Sequence, residues 1–321
     1  MSRRGWALFL SMCVIWGIPY LLIKVAVSDL SPATLVLART AIAALLLLPI
    51  AAARSELRPV FRYWVPVLAF ATIEIAIPWM LLGVAEQRIS SSLTGLLLAA
   101  TPLVGALIAR TTGMRERLGM QSGIGLFLGL IGVAAIVGVN PEGGGAGPIA
   151  ALGLVAICYA IGPVILQRYL SGAPALGVLA AALGVTALAY IPIAAFSLPD
   201  EMPRATVVGS VVGLAVVCTA VAFLLFFALI AEVGPVRATV ITYVNPAVAA
   251  VVGVAILGEQ LTVGMGFGFV LVLAGSVLAA RRSARATPTS AAARSSPRCW
   301  VSGPLQRCGA RARATPGAEE L

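Results

Sequence analysis

Long apolar runs alternate with short polar links over the first 280 residues. The runs lie near 6–26, 31–53, 63–84, 89–109, 119–139, 147–167, 174–196, 207–231, 235–257 and 263–280. Each can cross a bilayer as a helix, which takes roughly 20 residues. The links between them include RSELRPVFR, RTTGMRERL, VNPEGGGAG, SLPDEMPR and GEQL. Short links set consecutive helices side by side and antiparallel. The pattern predicts an all-α integral membrane protein of ten transmembrane helices.

Composition agrees with this. The chain has 321 residues, 60% hydrophobic and 11% charged, whereas a soluble domain is about one-quarter charged. Net charge is +10 and histidine is absent. The absence of histidine removes His-based triads, His general bases and His-ligated metal or haem sites. Cys13, Cys158 and Cys218 fall singly in apolar runs and read as small core residues. Cys299 and Cys308 make no recognisable motif. No metal spacing or cofactor signature is present. The start, MSRRGWALFL, reads as a basic flank running into a retained first span.

The positive charge is better read as topology control than as a nucleic-acid footprint. With a cytoplasmic N-terminus, the inner segments carry Arg3, Arg4, Arg54, Arg58, Arg62, Arg110, Arg115, Arg117, Arg168 and Arg237. The outer links then hold Lys24, Arg88 and Arg204. Both termini are therefore expected in the cytoplasm. Residues 281–321, rich in Arg, Ala, Pro and Ser, are expected to be a disordered basic cytoplasmic tail. Attraction to anionic lipid is one use for it, and an unselected tail is the plainer one.

The chain repeats itself. TPLVGALIARTTGMRERL at 101–118 has the layout of NPAVAAVVGVAILGEQL at 245–261: a proline near the start of an apolar run, then a polar corner. Pro102 answers Pro246, and Glu116 answers Glu259. Beyond the corner Gly123, Gly125 and Gly132 align with Gly266, Gly268 and Gly275, and earlier Pro19 and Lys24 align with Pro163 and Arg168. The offset is about 144 residues, or five helices. Five is odd, so the second copy (140–280) enters the membrane from the face opposite to the first (1–139). The expected result is a pair of inverted five-helix repeats, the architecture of many secondary transporters.

These residues, with Trp16-Gly17 and Tyr20 in the first span and SPATLVLAR opening the second, resemble the EamA-type family of the drug/metabolite transporter superfamily. The resemblance covers roughly residues 6–280, and the repeated Pro…Glu-x-Leu…Gly order is its strongest part. It implies ten helices in two inverted repeats, a bacterial cytoplasmic membrane location, and export of amino acids, other metabolites or toxic compounds. It also implies a central cavity lined by the first four helices of each repeat. Glu74, mid-span in the third helix, is not a landmark of the resemblance.

Two intramembrane charges stand out. Arg39 lies roughly 12 Å and Glu74 roughly 15 Å from the outer ends of their helices, at 1.5 Å per residue. A charge at that depth costs roughly 2.5–3.5 kcal/mol on insertion scales and so faces a bundle interior or a wet cavity. Two readings stand: a structural Arg39–Glu74 ion pair, or a site in which Arg39 attracts a substrate carboxylate while Glu74 takes an amine or a coupling proton. Trp16, Tyr20 and Lys24 recur every four residues as a stripe that could line a cavity, with snorkelling as the competing use of Lys24. Pro19, Pro102, Pro163 and Pro246 break helices, so that Ile15, Leu98 and Thr242 are expected to present free carbonyls. Thr94, Tyr159, Thr242, Tyr243 and Asn245 complete the candidate substrate-binding set. Interhelical hydrogen bonding is the alternative for the hydroxyls and amide. Trp79 reads as an interface-belt residue, and Glu116 and Glu259 as solvated corner groups. The faces formed by Gly125 with Gly129 and by Gly264 with Gly268 read as close-packing surfaces, with a homodimer contact as one use.

The expected partners are thus a small-molecule substrate, the lipid bilayer and a coupling proton. A membrane-embedded enzyme is the rival reading, but the chain carries no clustered Asp motif and no GxSxG elbow with a partner base. A sensor or scaffold would need an output domain, and an ATP-driven pump would need a Walker loop.

Overall fold

The structure is a computed structural model that describes residues 1–111, 120–138, 145–199 and 201–280. Glu116, Arg117 and the tail from 281 onward therefore lie outside the described residues. Among the described residues, seven helices are long and apolar enough to cross a membrane. They are α1 (Arg3–Ala26), α2 (Pro32–Ala53), α3 (Leu57–Glu86), α4 (Ser91–Ile108), α6 (Ala146–Tyr169), α7 (Ala175–Ala195) and α8 (Ala205–Val233). Three shorter apolar helices fall at the remaining predicted runs: α5 (Gly123–Gly138), α9 (Ile241–Leu257) and α10 (Val263–Ala279).

Local chemistry sets the helix ends. Ser31 caps α2, its hydroxyl accepting from Thr34 N–H at 3.1 Å, with Pro32 at the first helical position. Ser90 caps α4 in the same way through Leu93 N–H. Gly258 ends α9 in the left-handed region (φ 66°), where a side chain would be strained, and this turns the chain into the GEQL corner.

The prolines divide into two kinds. Pro19 starts a new helical segment, because α1 is interrupted between Ile15 and Pro19. Pro102 follows a similar interruption in α4 between Leu98 and Thr101. Pro163 and Pro246 instead sit inside continuous helices. Two π-helical turns, at Ala71–Ala76 in α3 and Gly213–Val221 in α8, occupy matching positions of the two halves. Each adds a residue to the local turn and re-aims the side chains around it.

Each helix of the first half packs on one of the second: α1 on α8, α2 on α7, α3 on α6, α4 on α9 and α5 on α10. Contact of α9 with α4 is concentrated on Ser91–Leu98, the half nearer the GEQL corner. The closest approach is α5 against α10. A Cβ at Gly125 would meet Gly275 O at 2.7 Å, and one at Gly132 would meet Gly268 O at 2.6 Å. These glycines let two backbones touch within one chain. This corrects the homodimer use of the Gly125–Gly129 face and of Gly268, which are already covered by the chain's own helices.

Candidate functional site

Five helices bring polar side chains together in the middle of the bundle. Arg39 of α2 is 7% exposed. Its guanidinium lies 3.6 Å from the centroid of the Trp79 ring of α3, a cation–π contact that holds the planar group flat. Its Nε donates to Thr219 Oγ1 of α8 at 3.0 Å, and Thr219 donates onward to Leu214 O at 2.8 Å. Tyr20 of α1, Tyr159 of α6 and Cys218 of α8 are its electrostatic neighbours. The Trp79 indole N–H faces the Tyr159 hydroxyl. Trp79 is thus buried beneath Arg39 rather than placed at a membrane interface, because the cation–π stack gives its ring a partner inside.

Glu74 does not pair with Arg39. The π turn aims it at α6, where its carboxylate occupies the space that a Cβ would fill at Gly162. Glu74 Oε2 is sealed from solvent without a hydrogen-bond partner. Arg39 is meanwhile held by groups from α3 and α8. The structure therefore sets a fixed cation and a carboxyl with one sealed, unpartnered oxygen in neighbouring parts of one interior. Among the described residues only Nε of the guanidinium has a protein acceptor, which leaves four N–H donors for a ligand.

The other candidates separate. Tyr20 joins this interior, packed on Gly95 of α4. Trp16 sits in the break of α1 and packs on Phe223 and Phe226 of α8, so the stripe of Trp16, Tyr20 and Lys24 is not continuous. Thr94 is buried and bonds its own helix at Ser90 O. The Leu98 carbonyl expected to be free at Pro102 accepts from Thr101 Oγ1 at 2.8 Å, because a hydroxyl three residues on can replace the missing N–H. Thr242 is exposed and bonds Thr239 O. Tyr243 faces an apolar groove shared with Val270, Leu273 and Val277 of α10. Asn245 is buried, and its amide nitrogen, oriented to satisfy the network, donates to Cys13 O of α1 and Ile241 O. It ties α9 to α1.

A second polar region lies where the links after α1, α3, α7 and α9 meet. Lys24 donates to Glu86 O at 2.7 Å and Ile89 O at 2.8 Å. The ammonium thus caps the end of α3 instead of snorkelling, since helix-terminal carbonyls are within reach. Glu259, expected to be solvated, grips the start of α4. Its Oε1 accepts from Ser91 N–H (2.8 Å) and Oγ (2.9 Å), and its Oε2 from Ser92 N–H (2.8 Å) and Ser92 Oγ. A carboxylate there meets the orphan N–H groups and positive dipole end of the helix. Gly253 leaves the room, since any side chain would overlap the carboxylate and the Ser92 hydroxyl.

Glu86 went unnoticed in the sequence because it sits at the edge of a span, where a charge needs no explanation. The structure buries it completely, with neither carboxyl oxygen partnered. Ser31 and Ser197 hydroxyls also meet at 2.8 Å, joining α2 to the α7–α8 link. Asp29 pairs with Arg204 at 2.6 Å. The Arg204 guanidinium holds the Asp29 carboxyl well below the usual carboxylate range. With Arg204 67% exposed, solvent screens that pair.

The chain is similar to the "Uncharacterized inner membrane transporter YedA" of Escherichia coli strain K12, with 28% identity over 264 residues, covering 80% of this chain and 83% of that protein. Proteins of the same name from two further Escherichia coli strains match equally. One solved crystal structure superposes with a TM-score of 0.63 at 18% identity, over 90% of this chain and 100% of that one, and so shares the fold. The model of the EamA-like transporter family matches the chain twice, over residues 3–138 and 147–281. The chain accordingly belongs to the EamA-like transporter family of the drug/metabolite transporter superfamily.

Proposed function

We propose that this membrane transporter exports small polar or amphipathic metabolites such as amino acids or amines, or drug-like compounds, by alternating access. The observation that carries the reading is the mid-bundle pair of unlike groups. Arg39 keeps donors free for a substrate carboxylate, and Glu74 keeps an unpartnered oxygen for a substrate amine or a coupling proton. A structural ion pair would have joined the two, since breaking up a buried pair leaves a costly orphan charge.

The proposal includes ten spans in two inverted five-helix repeats, 1–139 and 140–280. The twofold family match at a spacing of about 144 residues supports this. So does the exchange of contacts under that shift: Gly125 on Gly275 maps onto Gly268 on Gly132, and α1 on α8 maps onto α6 on α3. Both π turns also exchange. We place both termini in the cytoplasm from the arginine distribution. The inner membrane location follows the printed name of the YedA relatives. In this orientation the region of Lys24, Glu86 and Glu259 is the outer end. Its links between the halves are closed, while α9 leaves the inner half of α4 partly exposed, as expected of a conformation facing inward.

Purified protein in liposomes is expected to move a labelled amino acid or amine, and Glu74→Gln and Arg39→Ala to impair it. Full transport by both variants would overturn the site. At the cellular level, overexpression is expected to change the extracellular metabolite profile. An unchanged profile across several nutrient conditions would count against export.

A further inference from the structure

Glu86 is the most deeply buried carboxyl in the described chain, at 0% exposure, and neither of its oxygens has a partner. Lys24 is beside it, yet spends its bonds on the backbone carbonyls of Glu86 and Ile89. An ionised carboxylate sealed away without a bonded cation costs far more than a neutral carboxyl in the same place. The buried setting therefore suits the neutral form. The two carbonyls held by Lys24 flank the turn that leads directly to Ser90, the cap of α4, and to the N–H groups gripped by Glu259.

We infer that Glu86 is a proton-binding site that controls the grip of Glu259 on the start of α4. In the closed arrangement Glu86 carries its proton and Lys24 pins the α3–α4 turn. When the Glu86 O–H bond breaks, the proton passes to water at the exposed Gln87–Arg88 link and the charge stays on the carboxylate. Lys24 is the nearest cation, and it is drawn from the two carbonyls to the carboxylate. The new negative charge also repels Glu259. Both effects loosen the same turn, so proton loss opens this end and proton binding closes it.

The ionisable groups facing Glu86 are few. Lys24 and Tyr20 come from α1 and Glu259 from the α9–α10 link. Arg88 is exposed on the link that follows Glu86. Residues 91–109 of α4 and 146–157 of α6 contain no ionisable side chain. The nearest on α2 is Arg39, which interacts with the same Tyr20. Tyr20 thus stands between this end and the mid-bundle site.

The inference rests on the transport reading and adds to it a gating proton at the outer end, distinct from the ligand or proton taken by Glu74, and its test needs no substrate. Hydrogen–deuterium exchange of the full chain in lipid nanodiscs, corrected for intrinsic rates, follows the Ser91–Leu93 amides. Wild-type exchange is expected to rise at least about tenfold between about pH 6 and about pH 9. Glu86→Gln and Glu86→Met are expected to stay protected throughout, and Glu259→Gln to exchange rapidly at both values. A pH-independent wild type, or a wild-type response in the Gln and Met variants, would overturn the inference. So would failure of Glu86→Gln to fold, since an amide is the nearest copy of a neutral carboxyl. A normal pH response without any transport would count against the transport reading instead.

Discussion

Two carboxylates show how differently this bundle treats the same functional group. Glu259 accepts from two backbone N–H groups and two hydroxyls at the start of α4. Glu74, in the middle of α3, has an oxygen with no partner at all. Glu259 closes a helix end, so its bonds contribute to the fold. Glu74 costs the fold stability, and a group kept at such cost is available for a ligand. The corner region holds the fold together, and the mid-bundle region is the one proposed to bind.

The largest effects should come from removing charge at the centre. Arg39→Ala is expected to lower transport in liposomes roughly 100-fold, the loss anticipated for a charge-assisted contact of about 2–3 kcal/mol. Glu74→Gln should also impair transport but leave thermal stability unchanged or improved, because a neutral amide is easier to bury. A clear loss of stability in Glu74→Gln would erase the contrast with Glu259.

Glu259→Ala is expected to behave in the opposite way. Stranding the α4 donors should cost about 1–3 kcal/mol, measured by denaturant unfolding in detergent. Gly253→Ala should weaken the same contact by displacing the carboxylate, which makes it an independent check on the geometry. If both variants kept wild-type stability, the corner would not be the firm region described above.

The smallest effect belongs to Arg204→Ala, which removes an exposed pair. No resolvable change in melting temperature is expected at neutral pH. The pH dependence has a definite sign. Asp29 is depressed in the folded chain, so its contribution is present above the ordinary carboxylate value of about 3.9 and falls away as the pH drops below it. Wild type should therefore lose its advantage over Arg204→Ala below about pH 4, a difference too small for melting temperatures and read instead from the Asp29 carboxyl titrating lower in wild type than in Arg204→Ala, by NMR.

What the sequence determined by itself is the part set by solvent and by repetition. An apolar run of about 20 residues has few alternatives to a bilayer helix, because lipid leaves the backbone only itself to bond with. All ten predicted runs fall on helices in the structure, three of them on shorter ones. The alignment of Pro102 with Pro246 and of Gly125 with Gly268 needed only the chain itself, as did the singling out of Arg39 and Glu74 as costly charges.

The tertiary structure decided where those side chains point. Nothing in the letters places a π turn at Ala71–Ala76, and that turn sends Glu74 to Gly162 rather than to Arg39. Trp79 became the base of a cation–π stack, Lys24 a cap on α3 and Glu259 a cap on α4, each through a partner roughly 40 to 170 residues away. Periodicity reports which face of a helix is apolar, but not which partner helix that face meets. Glu86 shows this most sharply: it stands at a span boundary, yet it is fully buried, with Lys24 of α1 and Glu259 of the GEQL corner as its charged neighbours.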